Sequence, residues 1–258
     1  MSASDDYDTI TVDAGQMYTK DVDEGEVWEN KLIDVTADGA AFRLYVTVNG
    51  DATVRNIGLR GQLNNNDYDS NFIVAYTSDP NGEIRFENCY FGDGFETDVE
   101  ANVDPSGMSL RPNHAGYCLI DGITMREFAD NALYLSPAGH NNDRSVGEGG
   151  PCDVRNGYFE NNKTSDIRPG TDGTIENCGG YGNEHRGIWA NKHPEDEGQY
   201  IKNVHVGPSA TRDGPGRSIA VGNANYDDGC CNWVELEEGV HVESGTLYTY
   251  NSTNEIRG

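Results

Sequence analysis

The sequence predicts an all-β fold, a parallel β-helix whose short strands wind into a solenoid. Three observations lead there. A corner motif built on Asn returns along the chain, a second apolar strand follows each corner, and apolar residues never keep helical 3-4-3 spacing for more than about a turn. With 32 Gly among 258 residues, and Asn and Asp gathered at the corners, the chain reads as strands and turns throughout.

The corner motif appears as TVRNIGLRG at 53–61, RFENCYFGD at 85–93, DVRNGYFENN at 153–162 and TIENCGGYG at 174–182. Placing the Asn or Asp at the origin aligns Asn56, Asn88, Asp121, Asn156, Asn177 and Asn203, spaced by 32, 33, 35, 21 and 26 residues. Two positions earlier stand Val54, Phe86, Leu119, Val154, Ile175 and Ile201, all apolar. One later come Ile57, Cys89, Gly122, Gly157, Cys178 and Val204; three later come Leu59, Phe91, Thr124, Phe159, Gly180 and Val206. Period-two patterning broken once, at the Asn, describes two short strands meeting at a bend. Asn tolerates a left-handed backbone, and its amide bonds to its own kind above and below. The expectation is a column of corner residues whose amides form a buried ladder.

The second strand reads GMSLRP (107–112), ALYLSP (132–137), DIRPG (166–170), GIWAN (187–191) and SIAVGN (218–223). Alternation points Met108, Leu133, Ile167, Ile188 and Ile219 inward and Ser109, Tyr134, Arg168, Trp189 and Ala220 outward. A third strand per coil is less regular. Residues 1–50 alternate as TITVDAG and FRLYVTV and are expected to form the N-terminal cap and first coil. Residues 51–231 form the coils, and 232–258 the last coil and its C-terminal cap. About eight coils at ~4.8 Å each give a rod nearly 40 Å long.

Composition bounds the partners. The 44 acidic against 18 basic residues leave a net charge of −26, and only 5 of the cations are Lys. Such a surface repels nucleic acid and anionic membranes. It suits multimolar salt, where the Debye length falls to ~3 Å and hydrated carboxylates keep a chain soluble. No apolar run approaches the ~18 residues of a membrane span. MSASDDYDTITVDAG carries no secretion-signal pattern, so the expectation is a chain carried outside by another vehicle, such as a virion.

The corner repeat resembles that of the pectate-lyase-like right-handed parallel β-helix superfamily over roughly residues 50–250. The acidic composition and GEVWENKLIDVTADGAAF at 25–42 resemble β-helix proteins of halophilic archaea and their tailed viruses. That resemblance implies one of two roles. The first is a virion surface protein (capsid tower, decoration or tail-spike element) that forms a homo-oligomer, a trimer first, contacts other virion proteins and meets a cell-surface glycan. The second is a polysaccharide lyase or glycosidase acting on acidic glycans in a high-salt extracellular setting.

Candidate residues follow from the outward row. Tyr134, Arg168 and Trp189 suit a binding or subunit contact, because such side chains dominate interface hot spots. A lyase would need a cation to neutralise a uronate, Arg168 or Arg186, and a base, His185. A hydrolase needs two opposed carboxyls, for which Asp166 and Glu184 are the nearest pair. Ca²⁺ or another cation has acidic loops available, with Asp93, Asp98 and Asp104 in one and Asp227 and Asp228 in the other, though neither has calcium-loop spacing. Of six Cys, Cys118 and Cys152 sit near corners of adjacent coils, within reach of a disulfide. Cys89 and Cys178 read as buried thiols, and the Cys230–Cys231 pair has no assignment.

Overall fold

A computed structural model describes residues 7–63, 71–95, 105–139, 147–170, 172–190, 199–207, 217–222, 233–243, 246–249 and 255–258. The chain is a right-handed parallel β-helix. Every strand pair is parallel, and the strands fall into two sheets of 14 and 9. Ten strands of the larger sheet stack in one path from Asp8–Thr11 through Val27–Asp34, Ala52–Arg60, Glu83–Phe91 and Tyr117–Arg126 to Glu255–Arg257. Nine intervals of ~4.8 Å make that path about 43 Å long. The second sheet runs from Met17–Asp21 to Thr246–Thr249.

The corner chemistry explains the larger sheet. In the early coils one long strand runs through the bend. From Cys152–Arg155 onward it divides into a pair flanking the corner, and the second members (Tyr158–Glu160, Gly179–Tyr181, His205–Val206 and His241–Val242) stack as their own branch. At the corner Asn30, Asn56, Asn88, Asn156, Asn177 and Asn203 all have φ between 46° and 57°. Side-chain amides link the coils: Asn56 Nδ2 donates to Asn30 Oδ1 at 2.9 Å, Asn177 to Asn156 at 3.2 Å, and Asn203 to Asn177 at 2.5 Å.

Three corrections to the sequence reading arise here. Asp121 is not the corner of its coil: Glu87 pairs with Asp121 and Cys89 with Ile123, so Gly122, φ 74°, lies over Asn88. Asp121 serves the ladder above it from one position away, its Oδ1 accepting Asn156 Nδ2 at 2.6 Å. The interior residues of that coil are therefore Ile120, Ile123 and Met125, all buried, and not Gly122 or Thr124. Secondly, the ladder is not buried. Asn88, Asn156, Asn177 and Asn203 are exposed, because a left-handed corner turns its side chain along the outer edge of the coil. Thirdly, the column is longer than the six residues aligned, for it begins at Asn30 and reaches Gly239, φ 84°.

A second left-handed column was not foreseen. Glu127, Asn161 and Gly182 are successive register partners after the pairs Arg126–Glu160 and Glu160–Tyr181, and all have positive φ. Gly182, φ 72°, leaves room for the Asn161 amide, whose Oδ1 a Cβ there would meet at 2.2 Å.

The second sheet follows the alternation. Met108, Leu133, Ile167, Ile188 and Ile219 form one interior row, and Ser109, Tyr134, Arg168, Trp189 and Ala220 the adjacent outward one. Residues 8–48 already contribute four strands in register with those that follow. The N-terminal coils are filled by aromatic rings, Phe72 packing edge-on at 5.6 Å from Phe42 and 5.1 Å from Phe91. The later coils are filled by Val, Ile and Ala. Among the described residues no helix is long and apolar enough to cross a membrane.

Candidate functional site

The outward row brings Tyr134, Arg168 and Trp189 together on three successive coils, since Tyr134 pairs with Arg168 and the Ile167–Ile188 pair sets Arg168 beside Trp189. The Arg168 guanidinium carbon lies 4.8 Å from the Tyr134 ring centroid and 4.0 Å from that of Trp189. Arg186 approaches the same indole at 3.8 Å, and Trp189 Nε1 donates to the Gly222 carbonyl at 2.7 Å. This stack is not an open groove. Arg168 is only 5% exposed, and Tyr134 and Trp189 are half-buried. A guanidinium between two rings out of water stabilises the face and is poorly placed to meet a dissolved carboxylate.

Asp166 differs most from its expected place. It lies inside the coil, 2% exposed, and lines a cavity of about 10 Å³ together with Phe159, Cys178, Val204 and Val206. Its oxygens accept Asn162 Nδ2 at 2.7 Å and Asn183 Nδ2 at 2.6 Å, and both Asn side chains are fully buried. Burial pushes its carboxyl up to about 8, against the pull of the two amides. The strand keeps one register, Ser165 over Arg186 and Ile167 over Ile188, and Asp166 is held inside by its two amide partners. Gly180 makes room for it, since a Cβ there would meet Asp166 Oδ2 at 2.2 Å. Asp166 and Glu184 therefore do not form an opposed acid pair in a groove. His185 is exposed and Arg186 half-buried.

The remaining candidates divide. Asp93 braces a turn, accepting the Gly61 amide N–H at 2.7 Å. Asp98, Asp104, Asp227, Asp228 and the Cys230–Cys231 pair lie outside the described residues. Among the described residues no three His, Cys, Asp or Glu side chains are placed to share a metal. Cys118 and Cys152 are buried register partners but free thiols. Parallel strands in register hold Cβ atoms side by side near the ~4.8 Å strand spacing, beyond the ~3.5–4.5 Å that a disulfide spans. The Cys152 thiol is raised well above its ordinary range, by burial first and by Cys118 second. Burial pushes both Cys89 and Cys178 up to about 12, so neither is a nucleophile.

The sequence reading missed a polar and aromatic pocket on the outer side of the corner column. It holds about 440 Å³ and is lined by Asn177, Asn203, His205 and His241, with Gly179 and Gly239 at its floor. Tyr181 OH and Glu243 Oε2 lie 3.2 and 3.3 Å from His205 Nε2, and the His205 and His241 rings meet edge-on at 4.7 Å. The signal available was modest: Gly179, His205 and His241 each follow a corner by the same two positions.

No family model, curated protein or solved structure matches this chain.

Proposed function

We propose that this protein is a structural component of the surface of a virus infecting a halophilic archaeon, built on a pectate-lyase-like β-helix and assembled as a homo-oligomer, a trimer first. One observation carries the reading. The groups that a lyase or glycosidase would present to substrate are occupied elsewhere, Arg168 between two aromatic rings and Asp166 inside the coil. The charge of −26 supports a high-salt setting, and a rod whose strands pair along its length gives rigidity without disulfides. A polysaccharide lyase is the second reading, favoured by exposed His185 beside Arg186.

Sedimentation equilibrium in multimolar salt, combined with labelling of purified virions by an antibody to this chain, tests the proposal. An oligomer found on virions supports it. A monomer that releases unsaturated uronate from acidic glycans, and stops on Arg186→Ala, overturns it.

A further inference from the structure

The corner column changes character at its C-terminal end. Gly239 takes the corner above Asn203 and brings no amide, so the side-chain ladder that starts on Asp121 ends in the Asn203 oxygen. Between the pairs Ile201–Leu236 and His205–His241 the last coil carries one residue more than the coil beneath it, which swells the corner outward. A second gap lies beside the first. In the outward row Tyr158, Gly179, His205, His241, Gly179 brings no side chain, and a Cβ built there makes only ordinary contacts, with Tyr158 Cδ2 at 3.8 Å and His205 O at 4.0 Å. Two absent side chains thus make the pocket. Its walls are the ring of His205, held by Tyr181 and Glu243, and the exposed ring of His241, with Val204 and Cys178 beside them.

We infer that this pocket binds an uncharged saccharide, one or two sugar units at the end of a glycan. Amide and imidazole groups offer both acceptors and donors to vicinal hydroxyls, and flat rings accept the apolar face of a sugar. None of the lining residues is Lys or Arg, and the Glu243 carboxylate beside His205 disfavours a second carboxylate such as a uronate. The inference rests on the high-salt surface role proposed above: with a Debye length of ~3 Å, ionic recognition is screened, whereas hydrogen bonds and ring stacking persist. The pocket spans three successive coils, two intervals of ~4.8 Å, which is room for one or two sugar units and suits a chain end better than a polymer laid along the rod.

The test is titration of the purified protein in multimolar salt, by ligand-observed NMR and calorimetry. The probes are the methyl glycosides of glucose, galactose and mannose, N-acetylglucosamine and galacturonate. Saturable binding of at least one uncharged sugar is expected. Gly179→Leu, which fills the gap, and His241→Ala should each weaken it at least about tenfold, while Tyr200→Ala, on a different outward row, should leave it unchanged. Circular dichroism and melting temperature confirm folding of each variant. No binding by any uncharged sugar, preference for galacturonate, or affinity untouched by Gly179→Leu overturns the inference. These results are separate from the virion assay: a sugar site on a chain absent from virions would remove the structural role alone, and an oligomeric virion protein that binds no sugar would remove the site alone.

Discussion

Replacing the buried Asp166 by Asn should reshape the pH dependence of folding. In the unfolded chain this carboxyl ionises near 3.8, and in the folded chain burial raises it to about 8. Between those values the folded state holds a proton that the unfolded state has lost, so stability falls as pH rises, by about 1.4 kcal/mol per pH unit. The effect is absent below about pH 4 and complete above about pH 8. His114 works in the opposite sense. It is fully buried, accepts the Thr77 N–H on Nδ1 at 3.1 Å, and burial lowers its pKa from 6.5 to about 4. Over that window the unfolded chain binds the extra proton, and stability rises with pH.

The two slopes oppose each other up to about pH 6.5, and beyond it only Asp166 acts, a fall of roughly 2 kcal/mol by pH 8. Asp166→Asn removes that fall. The new amide keeps an oxygen for Asn162 and needs an acceptor for its NH₂. Asn183 Oδ1, buried and without a partner, supplies one when the Asn183 amide turns over. Denaturant midpoints from pH 4 to 9 at constant salt read the result. The wild type should be level to about pH 6.5 and then decline, and the variant should rise to about pH 6.5 and then stay level. Parallel profiles for the two proteins would refute the placement of Asp166.

Further predictions follow from the corners and the outer stack. Asn156→Ala forces a side chain other than Asn or Gly into φ 54° and breaks two ladder bonds, at a cost of about 1–3 kcal/mol. Asn156→Gly should recover about 1 kcal/mol of that, the backbone share, when both are measured by chemical denaturation. Arg168→Ala should destabilise by about 1–3 kcal/mol through two lost ring contacts; an unchanged midpoint would show that the stack contributes nothing. Alkylation mapped by mass spectrometry should leave Cys89, Cys118, Cys152 and Cys178 unlabelled at pH 8 until denaturant is added.

The corner residues made the fold legible, because a left-handed turn that must stack on itself admits few side chains besides Asn and Gly. The same tolerance produced the misalignment at Asp121. Gly122 occupies the corner without a polar signature, while Asp121 beside it imitates one and serves the ladder. Asn30 escaped the alignment because Lys31 stands where other coils carry a small or apolar residue. In the second sheet, alternation placed Arg168 on the outward side correctly but carries no record of burial. Asp166 was placed near the outward row from its closeness in sequence, which carries no record of its burial inside the coil. The pocket at His205 was the least legible feature, being made by two residues, Gly179 and Gly239, that contribute no side chain.

The stacking of coils in register is the claim on which every placement depends, and a spin-label distance measures it directly. Thr53 and Tyr200 occupy one outward row five coil intervals apart, about 24 Å at the β-helix spacing. Labels at these two positions should give a single narrow distribution near that value, lengthened only by their tethers, whereas a broad distribution or a separation near twice that value would contradict the fold.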